Sequence, residues 1–160
     1  MSARAAWRLE GLGFERVYRY TAGRLDWFAA GLAREGRLAR VPRAGELLRR
    51  DAPTCCPGER VGEVRARVRQ AGWDRAVVVN DAGVVLGALS GPALEAAPDT
   101  PVEEAMDPGP VTYRPDTLAK ELVQHLREGD ARAALVTSAE GVLVGVLRRD
   151  EAEHALQPGE

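Results

Sequence analysis

The run Cys55-Cys56-Pro57-Gly58-Glu59-Arg60 places two free thiols close to a guanidinium. A partly exposed thiol beside such a cation is drawn toward the reactive thiolate, which is the chemistry of a redox sensor. The plainer reading makes one cysteine a buried strand residue and the other incidental. Adjacent cysteines cannot form an ordinary long-range staple, so the chain does not read as a secreted disulfide scaffold. His125 and His154 fall on different expected helices, which leaves no convergent ligand set, and no metal is expected. His125 lies between the apolar positions Leu122 and Leu126 and reads as a partly exposed helix residue. The sequence shows neither a Ser-His-Asp order nor a Gly-rich phosphate loop; Gly83, Gly87, Gly141 and Gly145 suit turns and close packing.

Composition narrows the classes further. The chain has 160 residues, 45% hydrophobic and 29% charged, which suits one good core or two small ones leaning on each other. Its net charge of −2 conceals an asymmetry: residues 1–50 carry 11 Arg against 5 acidic residues, +6, and the remainder carries −8. The arginines are scattered among acids without a basic run, which disfavours nucleic acid as a partner. No stretch approaches the ~18 consecutive apolar residues of a membrane helix, and no apolar signal-peptide core opens the chain, so a cytoplasmic protein is expected. The richness in Ala, Gly and Arg suggests a GC-rich bacterial source.

Sliding the sequence against itself exposes the elements that must position any site. An offset of 58 pairs, without gaps, Glu46 with Glu104, Pro57 with Pro115, Glu63 with Glu121 and Arg69 with Arg127. It continues through Ala76 with Ala134, Val78 with Val136, Gly83 with Gly141, Gly87 with Gly145 and Leu89 with Leu147. Each copy opens with a short helix, Ala44 to Leu48 or Val102 to Met106, and a brief extended segment ending at Pro57 or Pro115. An amphipathic helix follows, with Val61, Val64 and Val68 on one stripe and Leu118, Leu122 and Leu126 on the other. Two apolar runs around an Asn/Asp/Gly-type turn then read as a hairpin, and a closing helix covers Pro92 to Ala97 or Asp150 to Leu156. The expected fold is α/β (α+β): two repeats, each a three-stranded sheet with flanking helices, packed with pseudo-twofold symmetry. The expected boundaries are 1–40 for an extension, 41–100 for the first repeat and 101–158 for the second.

The second copy, Val111-Thr112-Tyr113-Arg114-Pro115-Asp116-Thr117 with Leu135 to Asp150, resembles the cystathionine-beta-synthase (CBS) domain family. The first copy keeps the hairpin Asn80 to Ser90 but has Cys55-Cys56-Pro57 in the turn. The resemblance implies a disc-like pair that often dimerises, with clefts accepting AMP, ADP, ATP or S-adenosylmethionine. It also implies a Thr or Ser followed three residues later by Asp, whose carboxylate accepts two ribose hydroxyls while the hydroxyl meets a phosphate. Copy one departs, with Ser90 followed by Ala93. Copy two has Arg148 followed by Glu151, and a one-residue gap would instead bring in Asp150. The candidate ligand residues are therefore Ser90, Thr112, Arg148, Asp150 and Glu151; the alternative for Asp150 is an N-cap of the last helix.

The first forty residues have another character. Ala5, Ala6, Leu9 and Leu12 follow a helical spacing that stops at Gly13; Val17 to Tyr20 reads as a strand, and Asp26 as the cap of a helix through Leu32. The string Ala6 to Tyr18, with Gly23 and Trp27 to Leu32, resembles the C-terminal end of a rhodanese domain. Cys55-x-x-Gly58-x-Arg60 fits that family's sulfur-carrying loop in form, but at a strand-to-helix turn of the first repeat. Trp7, Phe14, Trp27 and Phe28 are expected to pack on the repeats or on a second subunit. The expected function is a non-enzymatic regulatory, ligand-sensing module, working as a homodimer. The alternatives are a ligand-free structural or protein-interaction module and, third, a sulfur-transfer remnant.

Overall fold

The computed structural model describes residues 2–37 and 39–157, so the expected outer boundaries at residues 1 and 158 lie outside it. In chain order the elements are α1 (Ser2–Gly11), α2 (Gly23–Ala29), α3 (Ala44–Leu47), β1 (Thr54–Cys55), α4 (Val61–Gln70), β2 (Arg75–Val79) and β3 (Val85–Ser90). A 3-10 turn (Gly91–Glu95) leads to α5 (Val102–Ala105), β4 (Asp107–Pro108), β5 (Thr112–Tyr113), α6 (Ala119–Glu128), β6 (Ala133–Thr137), β7 (Leu143–Arg148) and α7 (Arg149–Ala155).

The amphipathic helices form for reasons the sequence states. In α4, Glu63 occupies the first turn and Arg67 and Arg69 the last, complementing the helix dipole, while Val61, Val64 and Val68 are buried. In α6 the apolar stripe is Ala119, Leu122, Val123 and Leu126. Leu118, expected on that stripe, is the residue before the helix, because its extended backbone closes the turn that follows Pro115. Both hairpins turn on a left-handed glycine, Gly83 at φ 75° and Gly141 at φ 84°. The Asn80 side chain accepts hydrogen bonds from the Ala82 and Val84 amides, pinning the first of these turns.

The sheets run β1-β2-β3-β4 and β5-β6-β7, with β1 parallel to β2 and β5 parallel to β6. The first sheet thus has four strands rather than the expected three. The added strand, β4, follows α5 and comes from the second copy; it pairs Asp107 with Ala88. The reciprocal contact pairs Arg49, which follows α3 in the first copy, with Val146. The opening helices are exchanged in the same way. Val102 of α5 is buried with Val61, Val64, Val77 and Leu89, while Ala44 of α3 is buried with Leu122, Val136 and Leu147. Backbone bonds repeat the offset: Ala44 N–H donates to Thr117 O and Val102 N–H to Glu59 O, both at 2.9 Å.

The extension departs from expectation. Residues 17–20 form no strand: they join neither sheet, and strand propensity without a partner strand does not make one. Asp26 lies inside α2, not at its cap, and accepts the Tyr20 hydroxyl. Phe28 is buried under the guanidinium groups of Arg34 and Arg43, 5.2 and 5.7 Å from its ring centroid. Trp27 meets Tyr20 edge-on at 5.1 Å. Trp7 and Phe14, in contrast, remain 71% and 59% exposed, so these two do not join the core.

Candidate functional site

The ends of β2, β6 and β7 converge on a cavity of about 410 Å³. The turn between α4 and β2 supplies Trp73 and Asp74, and β2 opens with Arg75; the turn into β6 supplies Arg132; β7 and α7 supply Arg148, Arg149 and Asp150. Trp73 is almost buried, and the guanidinium groups of Arg49 and Arg148 each lie 5.8 Å from its ring. A cation over an indole face is held by the ring quadrupole as well as by any carboxylate nearby.

The charges are arranged as a network. Arg148 lies 3.2 Å from Asp150 and 3.5 Å from Glu151, and Arg49 reaches Glu151 at 3.2 Å and Asp51 at 2.6 Å. Arg75 pairs with Asp74 at 3.0 Å. The neighbouring guanidinium groups hold the Asp51 and Asp74 carboxyls below their ordinary pKa through hydrogen bonds from Arg49 and Arg75 respectively. The Asp51 and Asp74 carboxylates are therefore ionised near neutral pH and accept hydrogen bonds only.

Three of the five expected ligand residues meet here. Arg148 and Asp150 line the cavity, and Glu151 sits beside them in the Arg49 network. Asp150 occupies the first turn of α7, and the residue ahead of that helix is Arg148, so the N-cap reading of Asp150 does not hold. Ser90 ends β3 opposite Arg75 and leads into the 3-10 turn, without lining the cavity. Thr112 is exposed on β5, paired with Leu135, and also stands apart. Arg49 and Trp73 were not among the expected residues. Their sequence contexts, Leu48-Arg49-Arg50 and Gly72-Trp73-Asp74, carry no motif; the signal was only that the offset sets them against Asp107 and Ala131.

The cysteines divide. Cys55 is buried in the first core, and burial, followed by the Glu59 carboxylate, pushes its thiol up to about 12 despite Arg67. Cys56 is exposed. Arg60, expected to favour the thiolate, donates instead to the Asp99 carbonyl at 2.6 Å. Among the described residues, no three His, Cys, Asp or Glu side chains converge as a metal site, and no helix is long and apolar enough to cross a membrane.

The CBS domain model matches residues 44–90 and 102–157, two segments that begin 58 residues apart and together span well over half the chain. The chain belongs to the CBS domain family. Among solved structures, the cytosolic domain of the Mg2+ channel MgtE in complex with ATP is 31% identical, with TM-score 0.66 over 74% of this chain and 51% of that one. The CBS domains of a transcriptional regulator from Streptococcus pneumoniae are 19% identical, TM-score 0.67, over 71% and 98%. CBSX2 in complex with AMP is 20% identical, TM-score 0.64, over 71% and 94%. This CBS chain spans about half the length of the magnesium-channel structure. Among curated protein sequences, none matches it.

Proposed function

We propose that this CBS pair is a regulatory module, not an enzyme, that senses an adenosine-containing nucleotide at the cavity beside Trp73. The carrying observation is that Arg148 and Asp150, at the position the family resemblance marks for ligand in the second repeat, line one cavity, with Glu151 ion-paired to Arg148 and Arg49 beside it. Carboxylates suit ribose hydroxyls and guanidinium groups suit phosphate. Relatives of the same fold have been solved with ATP, with AMP and with S-adenosylmethionine. In this reading Glu151 takes the ribose, Arg148 the phosphate, and the Ser90 and Thr112 positions contribute little.

The first-repeat counterpart, with Ser90 and Ala93, lacks the carboxylate altogether. The extension, similar in sequence to a rhodanese tail, serves packing and not sulfur transfer, because Cys55 is buried and held as the thiol. The module acts in the cytoplasm as a homodimer: residues 1–50, net +6 and carrying the exposed Trp7, Leu12 and Phe14, complement residues 51–160, net −8, of a second copy. Sedimentation equilibrium tests the dimer.

A thermal melt with AMP, ADP, ATP or S-adenosylmethionine at millimolar concentration tests the sensor, since a ligand at ~100 times its Kd stabilises by about 2.7 kcal/mol. A shift abolished by Glu151→Ala is the expected result. No shift with any of them would leave the ligand-free interaction module as the function.

A further inference from the structure

The cavity carries more guanidinium than the ribose-and-phosphate reading needs. Arg75, Arg132, Arg148 and Arg149 line it against only Asp74 and Asp150. Three of these cations have carboxylate partners: Arg75 with Asp74 at 3.0 Å, Arg148 with Asp150 at 3.2 Å, and Arg149 with Asp130 and Glu153 at 3.8 and 4.0 Å. Arg132, an exposed residue of the cavity lining, has no ion-pair partner among the described residues, and its backbone carbonyl accepts the Arg149 amide at 2.9 Å, which ties its segment to the start of α7.

The cavity also lies across the relation that exchanges the two repeats. Asp74-Arg75 and Arg132-Ala133, related by the offset of 58, both line it, so applying the relation returns the same central space. Its two flanks differ. One is Arg148-Arg149-Asp150, and the opposite positions are the uncharged Ser90-Gly91-Pro92. A single, one-sided anion site results, in place of two equivalent ones.

We infer, resting on the nucleotide reading above, that this cavity takes the phosphate chain of a nucleoside di- or triphosphate, one per chain. Several anionic oxygens spread over a chain can engage separate guanidinium groups, whereas a monophosphate engages fewer. S-Adenosylmethionine, which brings a sulfonium and an ammonium, meets like charge.

Isothermal titration in metal-free buffer at fixed ionic strength, with ATP, AMP, S-adenosylmethionine and inorganic tripolyphosphate, tests this on the full chain. Expected are one ATP per chain, competition by tripolyphosphate, and AMP and S-adenosylmethionine each weaker by about tenfold or more, one lost charge-assisted contact being enough for that. Arg132→Ala, at an exposed side chain, should weaken ATP and tripolyphosphate by about tenfold and AMP much less, with Arg132→Lys recovering part of the loss. Equal affinity for the three nucleosides, two ATP per chain, or an unaltered ATP affinity in Arg132→Ala would overturn the inference and leave nucleotide sensing standing. Failure of all three nucleosides to bind would overturn both.

Discussion

The Arg49 guanidinium lies 3.2 Å from the Glu151 carboxylate, across 102 positions of sequence. Arg49 gets there because the segment after α3 crosses to the other repeat, where its backbone exchanges two hydrogen bonds with Val146, each at 2.8 Å. The carboxylate at the second repeat's proposed ligand position is thus oriented by a residue of the first. Both partners are partly exposed, so solvent screens the pair and its weight falls on orientation more than on stability.

Glu151→Ala is accordingly expected to lower nucleotide affinity about tenfold or more, through lost charge-assisted hydrogen bonds. The urea midpoint should barely move. Arg49→Ala should reproduce a smaller part of the affinity loss. Titration calorimetry and urea unfolding on the same samples separate the two effects.

Gly145 and Gly87 occupy corresponding positions where an exchanged segment crosses a strand. A Cβ at Gly145 would lie 2.5 Å from the Arg49 carbonyl oxygen, a backbone atom, and 2.6 Å from a Leu48 methyl carbon. At Gly87 the closest atom is the Met106 sulfur at 2.6 Å, with the Asp107 carbonyl at 3.0 Å. Backbone yields less than a thioether, so Gly145→Ala should cost more than Gly87→Ala, within the roughly 1–3 kcal/mol range of overpacking. Urea unfolding gives the ranking.

Exchange of α3 and α5 makes each core depend on both repeats. Val102→Ala, at a fully buried position in the first core, should cost about 2 kcal/mol, two methyl groups' worth of burial and packing. Unfolding followed by tryptophan fluorescence and by far-ultraviolet circular dichroism should coincide in one transition. A fragment of residues 41–100 lacks Val102 and should show no cooperative transition.

Cys56 is exposed and Cys55 buried, so a thiol reagent should titrate one cysteine per chain in native protein and both in urea. The folded Cys55 thiol titrates near 12 against an ordinary 9.0, so between those values the unfolded chain has lost a proton that the folded chain keeps. Stability from Cys55 is complete below pH 9.0 and drains away as pH rises toward about 12. The stability gap between wild type and Cys55→Ala should narrow across that window, measured by urea unfolding at successive pH values.

Much of this was legible in the sequence because it is local or repeated. The 58-residue offset, the buried stripe of Val61, Val64 and Val68 and the hairpin turns at Gly83 and Gly141 follow from repetition, periodicity and turn chemistry, and the family from the resemblance of the second copy. The gathering of Arg148 and Glu151 was legible too, since three residues separate them on one strand end and helix start. The apolar spacing of residues 17–20 misled, because strand propensity needs a partner edge to become a strand. The rest was decided by tertiary structure. Which repeat receives Val102, that Arg49 orients Glu151, and that two guanidinium groups meet the Trp73 ring depend on how two similar sheets are wound together. Identical copies could each have kept its own opening helix with the same local pattern, and only the packing of the whole chain distinguishes the exchanged arrangement from that one.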